Sequence, residues 1–120
     1  MIEEYKFGSI TINGKTYNHD VEVRWVGDVL KWWRRESHVI DVGDVKRAVE
    51  QGPDTIVIGT GEMGMAKITQ ECQNFITQKS IKLIIDKTEE AVKTFNIILE
   101  ESKKEEGKQE KVIGLFHLTC

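Results

Sequence analysis

Residues that characterise secreted or disordered proteins are scarce in this chain. Its 120 residues include only two cysteines and one proline. Because Cys72 lies within a predicted helix and Cys120 is the last residue, we do not expect a disulfide framework. A single proline and 39% hydrophobic residues are typical of a compact globular protein. These features predict a protein of the reducing cytoplasm.

Long apolar segments and an excess of basic residues are also missing. No apolar run approaches the roughly 20 residues that cross a bilayer, and the amino terminus lacks the layout of a secretory signal. The net charge of −3 argues against nucleic acid as the main partner, because phosphate binding depends on clustered Lys and Arg. The three histidines lack the spacing of metal ligands. We therefore expect no membrane partner, no nucleic acid, no metal and no cofactor.

The first third of the chain predicts antiparallel β structure. Residues 7–17 alternate around Asn13-Gly14, the pair most typical of a tight hairpin. Residues 21–25 alternate apolar with charged side chains, which predicts a strand with one buried and one solvated face. Gly27-Asp28 suits a second turn, and residues 29–33 form the returning strand. We expect these strands to form a meander.

From residue 44 onward the apolar residues recur at spacings of three and four, which indicates helices between buried strands. The predicted order is helix 44–51, strand 56–58, glycine loop 59–64, helix 69–79, strand 81–85, a long helix after Thr88 and a central strand 112–118. Right-handed crossovers make the three strands parallel. Residues 100–111 are almost all Glu, Lys, Gln, Ser or Gly, which predicts a charged helix end and a solvated loop. The predicted fold is one three-layer α/β domain over residues 1–120, in which an N-terminal β-meander leads into a mixed, partly parallel central sheet flanked by helices.

The parallel order brings the carboxyl ends of the strands to one edge of the sheet, where α/β proteins bind ligands. Backbone amides of a glycine loop at that edge can bind an anion. We therefore expect one ligand pocket, formed by Gly59, Thr60, Gly61, Thr88, His117 and Cys120. Thr88 is also expected to cap the following helix, with its hydroxyl accepting from the amide of Glu90 or Ala91.

The glycine loop contains a literal G-x-G-x-x-G. Gly59, Gly61 and Gly64 follow a strand, and Asp86 ends the next strand, as in a dinucleotide-binding loop whose acid binds the ribose. The chain offers one crossover pair after this motif rather than two mononucleotide-binding halves. We therefore predict no NAD dependence. Turn geometry and an anion site are the alternatives that stay open.

Two further groups of residues are candidates for chemistry or for contacts with a ligand. His117 and Cys120 lie three residues apart in a strand, so their side chains point to opposite faces. A thiol activated by imidazole is therefore not expected, and no catalytic residue is assigned. The second group is Trp33, Arg34 and His38. Aromatic residues beside Arg are enriched at interfaces, although core cover or loop anchoring also explains them; one tryptophan of the pair 32–33 is expected to cover the core.

Several runs of residues combine in a pattern that resembles one family. The runs are Asp44-Val45-Lys46, Ile56-Val57-Ile58-Gly59-Thr60-Gly61, Thr88-Glu89-Glu90-Ala91-Val92, Phe95-Asn96 and His117-Leu118-Thr119-Cys120, with Trp33-Arg34 and His38 in an early loop. From Phe7 to Cys120 the chain resembles the Mth-type domain family, whose function is uncharacterised. Its members include archaeal and bacterial stand-alone proteins, the adipogenesis-associated Mth-domain protein and a mitochondrial complex I assembly factor. The resemblance implies a three-layer α/β fold around a mixed sheet and no established enzymatic activity.

Two classes of function follow from these observations. The leading hypothesis is a small non-catalytic binding or assembly module of the cytoplasm, acting on a protein partner. The alternative is an enzyme or sensor that binds a small anionic ligand at the strand-end glycine loop. A homo-oligomer is compatible with either class.

Overall fold

The computed structural model describes residues 1–104 and 109–120. In this part of the chain the strands are β1 (Ile2–Lys6), β2 (Ser9–Ile12), β3 (Lys15–Tyr17), β4 (Val21–Arg24), β5 (Val29–Lys31), β6 (Val39–Ile40), β7 (Thr55–Thr60), β8 (Lys67–Ile68), β9 (Lys82–Asp86) and β10 (Val112–His117). The helices are α1 (Val42–Glu50), α2 (Gln70–Thr77) and α3 (Thr88–Lys104). None of these helices is long and apolar enough to cross a membrane.

Five strands form the central sheet in the order β5-β4-β10-β7-β9. Strands β10, β7 and β9 run parallel, and β4 is antiparallel to β10. Both β7 and β10 are buried along their whole length, which explains the continuous apolar sequence of strands that are covered on both faces. The parallel order and the central position of the last strand, both predicted from the sequence, are confirmed.

The predicted N-terminal meander is divided between two sheets. Strands β1, β2 and β3 form a separate antiparallel sheet. Asn13 and Gly14 take the positive φ angles of a type I′ turn, 49° and 82°, so the hairpin prediction is confirmed. Strands β4 and β5 instead join the central sheet. The prediction of one continuous meander is therefore wrong, because β4 pairs with β10 at the far end of the chain.

Helices and the small sheet cover the two faces of the central sheet. Helix α3 and the β1–β3 sheet pack on one face around Ile10, Phe95 and Phe116. Helices α1 and α2 pack on the other face, over Ile56 and Leu115. The molecule thus has the predicted three-layer α/β architecture.

Helix boundaries follow local capping interactions. Helix α1 begins at Val42 rather than at residue 44, because Asp41 is its N-cap and forms a capping box with Asp44. Helix α3 extends to Lys104, so the predicted charged helix end is present. Residues 105–108 of the predicted solvated loop lie outside the described residues.

The second face of β4 is buried, and its predicted exposure to solvent is wrong. Glu22 is 1% exposed and accepts hydrogen bonds from Arg24 Nε at 2.8 Å and from Arg47 Nε at 3.1 Å. The alternation of apolar and charged residues in this strand therefore reflects a buried ion-pair network under α1 rather than a solvated surface.

Candidate functional site

The carboxyl ends of the parallel strands meet as their order predicts. The Gly61 amide donates to Thr88 Oγ1 at 2.8 Å, and the Thr88 amide donates to the Gly61 carbonyl at 3.1 Å. The Thr88 hydroxyl in turn donates to the His117 carbonyl. One buried threonine therefore joins the glycine loop, the start of α3 and the last strand.

Thr88 does not cap α3, so the capping prediction is wrong. Its hydroxyl is already used by Gly61 and His117, and the Ala91 amide donates to the Lys87 carbonyl at 2.9 Å. The hydroxyl bonds segments distant in sequence instead of its own helix. The sequence-level rule fails here because a tertiary contact competes for the same oxygen atom.

Two glycines at this edge allow backbone segments to pack closely. A Cβ at Gly61 would lie 2.5 Å from the Thr119 carbonyl oxygen and 2.9 Å from the Cys120 carbonyl carbon, and the φ angle of Gly61 is 100°. A Cβ at Gly59 would lie 2.8 Å from Thr88 Oγ1. The last residues of the chain therefore fill the space beside the glycine loop, and only glycine fits there.

The backbone amides of this loop are largely committed to contacts within the protein. The Gly61 amide bonds Thr88, and the Glu62 amide donates to the Thr119 carbonyl at 2.9 Å. The Thr60 hydroxyl donates to the Asp86 carbonyl at 3.0 Å. The predicted residues are thus brought together by hydrogen bonds with one another, while a ligand at this edge stays a prediction.

The G-x-G-x-x-G lacks the structural context of a dinucleotide site. Strand β9 does lie beside β7, with Asp86 opposite Gly59. However, β8 follows the glycine loop and α2 begins only at Gln70, so the loop does not lead directly into the helix that follows it, as it does in a dinucleotide-binding unit. The Asp86 carboxylate accepts from the Lys87 amide at 2.8 Å. The motif is therefore best explained by turn geometry and close packing.

A largely buried polar cluster lies beside this edge, on the face of the sheet covered by α1 and α2. Asp20 immediately precedes β4 and His117 ends β10; they are neighbours because Val21 pairs with Phe116 in the antiparallel ladder. Asp20 Oδ2 lies 2.6 Å from Arg34 Nη2 and 2.8 Å from His117 Nδ1. We call these three residues, Asp20, Arg34 and His117, the Asp20 cluster.

The carboxylate organises the hydrogen bonds of this cluster. Arg34 can only donate, so an ionised Asp20 accepts from Arg34 Nη2 and from a protonated His117 Nδ1. Its other oxygen accepts from the Leu118 amide at 2.8 Å. Burial raises the pKa of Asp20, but the hydrogen bonds from His117, Arg34 and Leu118 outweigh burial and lower it below its ordinary value. Asp20 is therefore the fixed negative charge of the site.

Two nitrogen atoms of the Asp20 cluster are buried and lack a hydrogen-bond partner among the described residues, namely Arg34 Nε and His117 Nε2. The side chains of Arg34 and His117 are only 5% and 4% exposed. A substrate therefore cannot reach the imidazole in this arrangement. The cluster is suited to hold structure in place rather than to transfer protons.

Arg34 fixes the loop that contains it. Its Nη1 donates to the Glu36 carbonyl at 3.2 Å and to the Ser37 carbonyl at 2.6 Å. Its guanidinium lies 4.9 Å from the ring centre of the buried Trp32. Trp33, in contrast, is 72% exposed. Residues 33–38, which we call the arginine loop, are thus anchored by one buried side chain and present a tryptophan to solvent.

The arginine loop is hydrogen-bonded to β8, the strand that follows the glycine loop. The Lys67 amide donates to the His38 carbonyl at 2.8 Å, and β6 and β8 form a short parallel ladder at the same place. We call the exposed apolar side chains of this region the loop surface. Its members are Trp33, Val39, Met63 and Met65. Met63 and Met65 are 66% and 52% exposed.

The two groups of candidate residues predicted from the sequence therefore meet in space. Arg34 Nη2 lies 2.6 Å from His117 Nδ1 and connects the cluster of Trp33, Arg34 and His38 to the strand-end residues. The exposed His38 takes part through its backbone only. Asp20, which joins the two groups, was missed, because nothing in its local sequence distinguishes it; only the pairing of β4 with β10 does.

The cysteines lie apart from the Asp20 cluster. Cys120 is exposed, whereas Cys72 is buried in α2. Burial, with smaller contributions from Asp41, Asp44 and Glu71, raises the pKa of the Cys72 thiol to about 12, so this thiol is unreactive. Within the described residues, no group of three or more His, Cys, Asp or Glu side chains is arranged to hold a metal ion.

Two surface clefts are also present. The smaller, of about 240 Å³, lies beside Trp33 and is completed by Arg35, Asp41, Gly43 and Asp44. The larger, of about 470 Å³, is lined by residues that include Asp54, Thr55 and Lys82, at the amino ends of β7 and β9. The cleft beside Trp33 therefore adjoins the loop surface, and the larger cleft lies at the other end of the strands.

Comparison with known proteins identifies the family. A family described as "Protein of unknown function (DUF498/DUF598)" matches residues 2–107. The chain belongs to this family, which is the Mth-type domain family that the sequence resembles. Residues 117–120 lie beyond the matched range. Their agreement with the family pattern therefore remains a prediction from the sequence motifs.

Solved structures of similar proteins share the whole fold. The conserved hypothetical protein PH1505 from Pyrococcus horikoshii OT3 is 25% identical, with a TM-score of 0.82 over 100% of this chain and 99% of that one. The protein MT938 is also 25% identical, with a TM-score of 0.78 over 100% and 98% of the two chains. A protein described as an outer membrane protein from Bartonella henselae is 20% identical, with a TM-score of 0.80 over 99% and 94%. The last similarity shows the fold alone.

Proposed function

We propose that this member of the DUF498/DUF598 family is a non-catalytic binding module that recognises a protein partner through the loop surface. The observation that carries the proposal is the contrast between two consecutive residues. Arg34 is buried and donates hydrogen bonds to the Asp20 carboxylate and to the carbonyl groups of Glu36 and Ser37, whereas Trp33 beside it is 72% exposed. An exposed tryptophan on a loop held this firmly is a feature of recognition surfaces.

The composition of the loop surface supports a protein partner. Tryptophan and methionine are enriched at protein interfaces, and tryptophan often contributes a large share of the binding free energy. Single exposed apolar side chains are ordinary on protein surfaces. Here Trp33 lies in the loop before β6, Val39 lies in β6, and Met63 and Met65 precede β8, which pairs with β6. The four side chains therefore flank one short ladder.

The anchoring of the arginine loop lowers the cost of binding. A flexible loop loses conformational entropy when a partner orders it, and this loss weakens the complex. Arg34 holds the carbonyl groups of Glu36 and Ser37, and the Lys67 amide holds that of His38. The loop is therefore ordered before a partner arrives, and less free energy is spent on ordering it.

The cleft beside Trp33 suggests what the partner presents. Its volume of about 240 Å³ suits one apolar side chain, with the indole of Trp33 as one wall and Gly43 at the start of α1 as another. We infer that the partner inserts an aliphatic or aromatic side chain there. Asp41 and Asp44 of the lining are acidic and Arg35 is basic, so we expect polar or charged groups of the partner next to that side chain.

The alternative, an anionic ligand at the glycine loop, has less support. The amides of Gly61 and Glu62 already donate to Thr88 and Thr119, so an anion would have to replace hydrogen bonds that the protein makes with itself. We expect neither inorganic phosphate nor NAD to raise the melting temperature in a thermal-shift titration. A saturable rise that disappears in Asp86→Ala would favour the alternative for NAD.

Comparative affinity purification tests the proposal. The full chain, tagged, is expressed in its native cells alongside Trp33→Ala, Met63→Ala and the control Ile97→Ala, which removes a similarly exposed apolar side chain from α3. The proposal requires one partner that the wild type and the control retain and that Trp33→Ala loses. With the purified partner, we expect Trp33→Ala to raise the dissociation constant tenfold or more. A tryptophan that dominates an interface typically contributes roughly 2 kcal/mol to the binding free energy. Equal affinity of Trp33→Ala and wild type for every retained partner contradicts the proposal.

A further inference from the structure

Strand β9 forms one edge of the central sheet. It pairs with β7 along one side only, and among residues 1–104 and 109–120 no strand pairs with its other side. Its backbone donors and acceptors on that side are therefore available to another strand. Ile85 in the same strand is 41% exposed.

The sequence of β9 is complementary to itself in the antiparallel direction. The strand reads Lys82-Leu83-Ile84-Ile85-Asp86, with opposite charges at its ends and three apolar residues between them. If two copies pair about a twofold axis at Ile84, Lys82 of each copy lies opposite Asp86 of the other. Leu83 then lies opposite Ile85, and Ile84 lies opposite its own copy.

We propose that two copies of this chain associate by antiparallel pairing of β9, which joins their central sheets into one continuous ten-stranded sheet. A twofold axis makes such an interface self-complementary, because each residue contacts its counterpart reciprocally. Two Lys82–Asp86 pairs set the register, since any shift along the strand places a charge opposite an apolar residue. This proposal does not depend on the proposed function.

Pairing also covers apolar surface that the single chain exposes. Leu83 and Ile85 align with Ile56 and Ile58 of β7, so they lie on the face of the sheet that α1 and α2 cover. Leu83 is half-buried, whereas Ile85 near the end of the strand is exposed. In the paired sheet, Leu83 of one copy lies beside Ile85 of the other on this same face.

The other edge of the sheet is built differently. Strand β5 has only three residues, and Arg47 Nη2 donates to the Lys31 carbonyl at 2.8 Å, which occupies an acceptor of that strand. A short strand with a covered acceptor and a lysine is protected against pairing with another chain. Strand β9 has a charge at each end but an apolar centre, so it is protected against every register except the self-complementary one.

Sedimentation velocity with reversed charges tests the interface. The full chain is expected to show a reversible monomer–dimer equilibrium across the micromolar to millimolar range. Lys82→Glu places Glu opposite Asp86, and Asp86→Lys places Lys opposite Lys82, twice in each dimer. Each variant alone is expected to raise the dissociation constant roughly tenfold or more, because two attractive pairs become repulsive.

Mixing the two variants provides the decisive arm. In a heterodimer of Lys82→Glu with Asp86→Lys, each strand end again meets an opposite charge, so dimerisation should return. Lys46→Glu, which reverses an exposed lysine on α1, is the matched control and should dimerise as the wild type does. A wild-type chain that stays monomeric throughout overturns the proposal. A dimer whose dissociation constant is unchanged by both charge reversals also overturns it. So does a mixture of the two variants that dimerises no more strongly than either variant alone.

Discussion

Two carboxylates at the start of β4 have very different surroundings: Glu22 is buried, whereas the side chain of Asp20 is 18% exposed. Asp20 and Glu22 lie two residues apart, and each accepts hydrogen bonds from two basic side chains. The partners of Asp20 are Arg34 and His117, which are almost fully buried. The partners of Glu22 are Arg24 and Arg47, which we call with it the Glu22 cluster; Arg47 is 47% exposed.

The difference lies in what each cluster connects. The Glu22 cluster links β4 to α1, and its Arg47 can turn to solvent if the carboxylate is lost. The Asp20 cluster links β4 to β10 and to the arginine loop, and the side chains of its Arg34 and His117 are almost fully buried. A cluster whose basic side chains are almost fully buried can fix the shape of an exposed loop, whereas a cluster with a half-exposed arginine can lose its carboxylate at a lower cost in stability.

Removal of each carboxylate charge should show the largest difference in stability between the two clusters. Asp20→Asn leaves the buried guanidinium of Arg34 without a counter-charge and is expected to lower the free energy of unfolding by about 3–5 kcal/mol. Glu22→Gln is expected to cost only about 1–2 kcal/mol, because Arg47 can reach solvent. Urea unfolding at pH 7 measures both. Equal losses of unfolding free energy would mean that the burial of Arg34 and His117 has no energetic consequence.

Replacement of the arginines by lysine sharpens the comparison. Arg34→Lys keeps the positive charge but cannot bond Asp20 and the carbonyls of Glu36 and Ser37 at once, so a loss of about 2–3 kcal/mol is expected. Arg47→Lys, with its partly exposed side chain, should lose less than about 1 kcal/mol. The same urea titrations report the difference. A tolerant Arg34→Lys would show that charge alone holds the arginine loop.

Thr88 extends the Asp20 cluster to the glycine loop, and no equivalent residue extends the Glu22 cluster among the described residues. Thr88→Val keeps the shape of the side chain but removes the oxygen that accepts from the Gly61 amide and donates to the His117 carbonyl. We expect a loss of about 1–2 kcal/mol, since both backbone groups are left unsatisfied. Thermal unfolding of Thr88→Val and Thr88→Ser compares loss of the hydroxyl with its retention. A Thr88→Val protein as stable as Thr88→Ser would contradict the bridging role.

The smallest expected effect is the pH dependence of the stability that Asp20 contributes. The pKa of Asp20 is lower in the folded protein than in the unfolded chain, so its stabilisation is complete above the unfolded value of about 4. It is lost as the pH falls through the folded value. The gap in unfolding free energy between wild type and Asp20→Asn should therefore be constant from pH 7 to about pH 5 and narrow at more acidic pH. If the difference in unfolding free energy instead widened on acidification, the pKa of Asp20 would be raised in the folded protein rather than lowered.

Much of the fold could be predicted because its signals are local. The continuous apolar run of β7, the turn at Asn13-Gly14 and the stop at Gly52-Pro53 each follow from a few neighbouring residues. The division of the meander into two sheets could not be predicted, because β4 finds its partner in β10. The pairing of distant strands depends on the whole sheet and leaves no mark on a short stretch of sequence.

The candidate site was predictable to a similar degree. The rule for parallel strands correctly brings Gly61, Thr88 and His117 to one edge. Sequence alone could not show that Thr119 and Cys120 fill the space beside Gly61, since that depends on where the chain turns after β10. Nor could it select Asp20, whose role depends on its pairing partner rather than on its neighbours.

Hydrogen exchange at a single backbone amide tests most directly whether the Asp20 cluster holds the loop surface in shape. The Lys67 amide donates to the His38 carbonyl at the end of the arginine loop, so its exchange rate reports whether that loop stays in place. In Arg34→Lys we predict faster exchange of the Lys67 amide, while amides of the central β7 keep their protection. In Arg47→Lys the Lys67 amide should exchange at the wild-type rate. Equal exchange of this amide in the two variants would contradict the account.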